Sequence, residues 1–300
     1  MQEMAFRQGM LVEHKTWGLG KIVFASDKLY IFFKDLKGPY KDATKMVLLS
    51  NPFLTVATSQ SHPELDNLPP FARDGKFRVP PGLRVTHSQA RDSFRRKYPE
   101  GFLDIEYLRD ERDYKFEAHE LFQSSLGNGH LERLIESGDV IDVVQRHQSV
   151  VSKVNLLFPN EAMAIRDGLK HEAAAEEFLK ALSHFLRDSD STGFDRLVEA
   201  TESLPVEEGK SPVLTWPIVT VFPFLADPKR FMFLKPEVTK QAANRLAFDL
   251  LYDAKPNWST YSNLLVMSNL LMNNLREFGV RDYMDVQSFI WVVGDKNYSS

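Results

Sequence analysis

The 300-residue chain contains no cysteine. That excludes a disulfide framework, a thiolate-held zinc or iron–sulfur centre and a cysteine nucleophile, and it makes a reducing compartment the easier home. No stretch approaches the roughly 20 apolar residues of a membrane helix, and the opening Met1-Gln2-Glu3-Met4-Ala5-Phe6-Arg7 lacks the apolar run of a signal peptide. A soluble, cytoplasmic protein with no membrane partner is the expectation. No repeat period is visible, which disfavours a solenoid. Walker A, dinucleotide-fingerprint, His-Glu-x-x-His and Gly-x-Ser-x-Gly patterns are all missing, so common nucleotide-hydrolysis, redox, zinc-protease and lipase readings have no motif. The histidines His14, His62, His87, His119, His130, His147, His171 and His184 form no metal pair at helical spacing. Neither a metal nor a cofactor is expected. A charge excess is also lacking, since the net value of −4 gives no global attraction to nucleic acid.

What is present is an ordinary globular composition, with 43% hydrophobic and 26% charged residues, so the chain folds around a core. Its length predicts two unequal domains. From Gly9 to Leu49, short β-rich runs alternate with turn residues: Gly18 and Gly20 punctuate the first runs, Ser26-Asp27 suits a tight turn, and Asp35 to Gly38 a longer one. Four or five such short strands bury an apolar face only by curling into a small barrel.

Gly9, Val12, His14, Trp17-Gly18-Leu19-Gly20, Val23 and Ile31 to Phe33 resemble the SH3/Tudor-like barrel at the start of CarD-type transcription regulators and at the end of UvrD/PcrA-type helicases. Trp17 stands where that family has a smaller aromatic. The resemblance covers about a sixth of the chain, and it implies a barrel that docks a protein partner beside DNA. Trp17 itself has two readings. Exposed, it stacks on a base or anchors a partner; alternatively it closes the barrel end while His14 hydrogen-bonds the turn.

Between Asn51 and Arg84 periodicity disappears and prolines gather, which is linker chemistry. The expected divisions are therefore 1–55 for the barrel, 56–84 for a proline-rich linker running extended over the surface, and 85–300 for a larger, mainly α-helical domain, an α+β multidomain chain. The clearest local charge excess begins in the downstream end of the linker and runs beyond it, in Arg73, Lys76, Arg78, Arg84, Arg91, Arg95, Arg96 and Lys97, interleaved with Phe71, Phe77, Phe94 and Tyr98. Cations with interspersed aromatics suit phosphate neutralisation and base stacking; the same pattern describes a solvated helix whose aromatics point inward.

Beyond residue 85 the spacing is helical. Ser88 is a candidate cap for a helix carrying Phe94, Pro159-Asn160-Glu161 starts a helix pair broken near Gly168, and Pro236, Asn257 and Asp282 open three more. Trp216-Pro217-Ile218-Val219-Thr220-Val221-Phe222-Pro223 departs from that pattern, and its β-branched residues and prolines predict a buried extended segment.

Candidate catalytic groups are polar residues set in apolar sequence. Lys235, after Phe231-Met232-Phe233-Leu234, is placed for a desolvated amine, and Asp285 and Glu161 are carboxylates beside apolar runs. With Trp216, Trp258 and Trp291 to hold an extruded base, this set suits a DNA glycosylase or lyase. Snorkelling, capping and helix-dipole roles explain the same residues without chemistry. The leading expectation is a bacterial DNA-associated protein of repair or anti-phage defence, docking through the barrel and binding nucleic acid, DNA before RNA, through the basic helical body. The alternatives are the base-excision enzyme and an interaction adaptor without nucleic acid.

Overall fold

The computed structural model describes residues 6–36, 43–59, 61–66, 68, 86–127, 129–138, 142, 144–146, 149–150, 156–206, 208–246 and 248–295. It opens with five strands, β1 (Leu11–His14), β2 (Gly18–Ala25), β3 (Lys28–Phe33), β4 (Thr44–Leu48) and β5 (Leu54–Val56). They pair antiparallel in the order β4-β3-β2-β1-β5, a curled, half-barrel sheet. Ile22 pairs with Ile31 but Phe24 with Tyr30, so Val23 is an extra residue in β2. Such a bulge sharpens the local twist and helps the sheet to curl. Val12, Ile22, Leu29, Ile31, Phe33, Val47 and Leu54 form the concave core. Gly20 belongs there because a β-carbon would stand 2.6 Å from the Phe33 ring.

The opposite face is covered by what composition assigns to the linker. Leu65, in the short helix α1 (Pro63–Asp66), and Leu68 join Leu11, Val23 and Ala57 in a second buried cluster. Ala57, Leu65 and Leu68 are therefore packed against the sheet. Residues 69–85, with the remaining linker prolines, lie outside the described residues.

The helical body follows. It comprises α2 (His87–Lys97), a 3-10 turn (Gly101–Leu103), a single turn α3 (Ile105–Tyr107), a π segment (Leu108–Arg112) and α4 (Asp113–Ser125). Then come α5 (His130–Ser137), α6 (Pro159–Gly168), α7 (Glu172–Asp188), α8 (Ser191–Glu202), α9 (Trp216–Ala226), α10 (Pro236–Arg245), α11 (Trp258–Asn274), a 3-10 turn (Arg276–Phe278) and α12 (Tyr283–Gly294). Thr86, not Ser88, caps α2, in a reciprocal box with Gln89. Asn257 and Asp282 cap α11 and α12 as their positions predict. No helix among the described residues is long and apolar enough to cross a membrane.

The stretch from Trp216 is helical, contrary to the extended reading. Thr215 caps α9, Pro217 sits in its first turn, and every residue from Trp216 to Leu225 is buried. A helix apolar on all sides loses the stripe that reveals a helix, and here packing overrides both the β-branched propensity and Pro223. The extended segment is instead Phe231 to Leu234. Two of its amides are satisfied by hydroxyls rather than a sheet: Met232 N–H donates to the Tyr261 hydroxyl at 3.2 Å and Leu234 N–H to Thr220 Oγ1 at 3.0 Å.

Sheet and body are joined. Gln8 Nε2 donates to the Asp249 carbonyl at 3.1 Å. Gly9 adopts φ +86°, and a β-carbon there would meet the Phe248 ring at 2.4 Å, so glycine meets both a conformational and a contact requirement. Lys21, buried, pairs with buried Asp66 at 3.5 Å and stands 5.9 Å from the Phe248 ring centroid.

Candidate functional site

The proposed catalytic trio does not converge. Lys235 and Glu161 do meet, at 3.5 Å, but Lys235 Nζ also donates to the Leu156 carbonyl at 3.0 Å and sits 3.4 Å from the Phe158 ring centroid. Glu161 Oε2 accepts the Phe158 N–H at 2.8 Å, closing the first turn of α6. The ammonium thus pins α10 to the start of α6. The nearby cleft of about 100 Å³ is lined by Asn160, Met163, Arg166, Val206, Lys210 and Ser211 among others, and not by Lys235 or Glu161. Trp216, proposed to hold a base, is core, with Nε1 donating to the Asp253 carbonyl.

Asp285 lies elsewhere, fully buried, with both oxygens engaged. Oδ1 accepts from the Tyr107 hydroxyl at 2.6 Å, Arg112 Nη1 at 2.7 Å and Arg281 Nη2 at 3.1 Å; Oδ2 accepts from Arg281 N–H and Nε. Arg112 also forks onto Asp282, with bonds of 2.9 and 2.7 Å. Tyr107 and Arg112 are five positions apart, about 140° around an unbroken α-helix. The π segment between them widens the turn and brings both to one carboxylate. Beside them Lys115, with no exposed surface, donates to Ser288 Oγ at 2.7 Å and to Glu111 at 3.2 Å. A carboxylate holding five donors has no lone pair to activate water, so this network clamps α12 to α3 and α4 rather than performing chemistry.

Three buried lysines share one electrostatic consequence. Burial pushes Lys21, Lys115 and Lys235 below the ordinary 10.5, with Asp66, Glu111 and Glu161 respectively pulling back upward. Between each lowered native value and 10.5 the unfolded chain binds more protons, so stability should rise with pH across that window. Tyr107, Tyr261 and Tyr283 are all pushed upward, chiefly by burial, and give the opposite trend only above 10. Urea midpoints measured from about pH 8 to pH 10 should therefore climb, and Lys115→Met should flatten the climb. An equal slope in the variant would mean that Lys115 titrates normally.

Trp17 is half-buried, stacked on His14 at 4.1 Å and tilted against Phe33 at 5.2 Å. His14 Nδ1 accepts the Thr16 N–H at 3.2 Å. This is the plug arrangement, not a free platform.

Of the basic stretch, Arg73, Lys76, Arg78 and Arg84 lie outside the described residues. Arg91, Arg95, Arg96 and Lys97 are on α2. Phe94 and Tyr98, expected to stack on bases, are buried in the core instead, where Phe94 meets Phe102, Tyr107 and Phe289. The helix thus turns its apolar face inward and its arginines outward. Arg91 and Arg95 lie over the half-buried Phe278 ring, 6.0 and 5.2 Å from its centroid. Arg91 also donates to the Asn274 carbonyl, Arg96 to Ser93 Oγ and Arg276 to Asn273 Oδ1.

Among the described residues, none of Arg91, Arg95, Arg96 and Arg276 forms an ion pair with a carboxylate, although Asp92 and Glu277 belong to the same two segments. Elsewhere Arg109, Arg166, Arg187 and Arg230 each pair with an aspartate. Cations in the last turn of α2 complement the helix dipole, but that effect does not account for Arg276, which is 180 positions away from Arg96 in sequence. Phe278 and Arg276 had no sequence signal linking them to α2. No family model, no curated protein and no solved structure matches the chain.

Proposed function

We propose that this chain binds nucleic acid, DNA in the first place, through the arginines gathered around Phe278, and that its curled sheet is an SH3-like barrel that docks a protein partner. One observation carries the reading: Arg91 and Arg95 lie over Phe278, Arg276 belongs to the same turn as that ring, and among the described residues neither these three nor Arg96 pairs with a carboxylate, in a chain whose other surface arginines are commonly neutralised by a neighbour. Helix α2 carries Arg91, Arg95, Arg96 and Lys97 against Asp92, a formal +3 within a chain of −4. Guanidinium groups suit this role because their planar donor forks match phosphate oxygens, and Phe278 orients two of them by stacking. A binding role fits better than base excision, because Lys235, Glu161 and Asp285 are divided between two structural clamps.

The test is a titration of duplex DNA at several salt concentrations with the wild-type chain and the Arg95→Ala/Arg96→Ala variant. Both side chains are exposed, so circular dichroism and melting should be unchanged. Affinity should fall by roughly tenfold or more, and the slope of log affinity against log salt should shrink by about 2, one released counterion for each lost phosphate contact. Equal affinity and slope would exclude this face.

A further inference from the structure

We infer that the nucleic acid bound here is a duplex, and that Leu103 and Ile105 act as an apolar wedge that unstacks a base step and bends it. This rests on the arginine face described above. Leu103 and Ile105 are 66% and 81% exposed, the two most exposed large apolar side chains among the described residues. Leu103 lies beside the turn that carries Phe278 and Arg276, and Ile105 follows it two positions on. The turn Gly101–Leu103 packs on the turn Arg276–Phe278: a β-carbon at Gly101 would stand 2.9 Å from the Phe278 carbonyl oxygen, and one at Gly279 3.4 Å from Leu103 Cγ. Phe278 therefore has Arg91 and Arg95 on its ring and the Leu103 turn beside it.

The pair is held rigidly. Phe102, between them and the core, is fully buried, and its carbonyl accepts from Arg281 Nη2 at 2.9 Å. Asp104, also buried, accepts the Glu106 N–H at 2.9 Å through one oxygen and the Glu100 N–H at 3.2 Å through the other. Two aliphatic side chains are thus fixed in water on a braced turn near guanidiniums that have no carboxylate partner among the described residues. Glu100 and Glu106 flank the turn as exposed acids, so the polyanion is met on the Phe278 side, while the aliphatic pair addresses uncharged base faces. Leucine and isoleucine inserted between base steps kink a duplex by roughly 20–90°.

The experiment uses the full chain and a duplex of about 20 base pairs, short against the persistence length, carrying a fluorophore at each end and 2-aminopurine inside. The wild type should shorten the end-to-end distance and brighten the 2-aminopurine. Leu103→Ala/Ile105→Ala should keep affinity within roughly tenfold while abolishing both signals; Leu103→Ser/Ile105→Ser, with its melting temperature measured, repeats the comparison should the first variant fold poorly. Wild-type binding without bending or unstacking overturns the wedge and leaves the arginine reading standing. Absence of any duplex binding overturns both. A concentration-dependent self-association lost in the double variant overturns the wedge in favour of a protein interface.

Discussion

Replacing Asp285 by alanine is expected to lower the stability of the protein by about 3–5 kcal/mol, the usual cost of removing one member of a buried charge network. The substitution takes one of two carboxylate partners from Arg112, which has little exposed surface, and withdraws the acceptor from the Tyr107 hydroxyl. Asp282 continues to hold Arg112 through two bonds, so the chain should still fold, with a lower urea midpoint and melting temperature. Asp285→Asn, which keeps the acceptor oxygen but not the charge, should lose less. A loss below about 1 kcal/mol for the alanine variant would mean that water reaches the network.

The second large effect is expected at the junction between sheet and helical body. Asp66→Ala leaves Lys21 buried and uncompensated, and a cost of about 3 kcal/mol follows. Unlike Asp285, Asp66 serves an interface, so the sheet rather than the whole chain should loosen. Hydrogen exchange in β1 to β3 should accelerate more than in α11 or α12. His87 supplies a second readout. Burial pushes its imidazole down to about 4, with Asp66 opposing and Lys21 and Arg91 adding to the shift. A lowered histidine is neutral in the native state, so its contribution is present above its unfolded pKa and is lost as pH falls from about 6.5 toward 4. Loss of Asp66 removes the one opposing charge and should steepen that acid limb. Lys21→Met combined with Asp66→Leu should recover most of the stability; no recovery would place the effect in other contacts of the junction, such as the Gln8 side chain on the Asp249 carbonyl.

The β-rich runs from Gly9 to Leu49 were readable because alternation and turn residues are local, and the caps at Asn257 and Asp282 because a cap is read over a few positions. Helix α9 was not, since burial on every side erases periodicity. Helix α8 was passed over: Asp190 accepts the Gly193 N–H, a good cap, but Ser191-Thr192-Gly193 makes a poor helical opening. Lys235 and Glu161 were singled out separately as polar residues in apolar sequence, and their burial is real. What sequence could not say is that each already had its partner. The same applies to Lys115, whose partner Ser288 is distant along the chain. Local patterns identify which face of an element turns inward, and partners across the fold leave no such mark.

The polar clamp on α12 also has a consequence in the order of synthesis. Every ladder of the sheet closes within the first 56 residues, whereas the partner of Tyr107 is made 178 positions after it. At about 5–20 residues per second, roughly 10–35 s separate the two. During that interval the aromatic face of α2, with Phe94, lacks the helix whose Phe289 later covers it. Tyr107 and Arg112 remain hydrated and pay no desolvation cost until Asp285 arrives. The emerging helical body should therefore engage holdase chaperones through its aromatics, and release should coincide with the emergence of α12 from the ribosome.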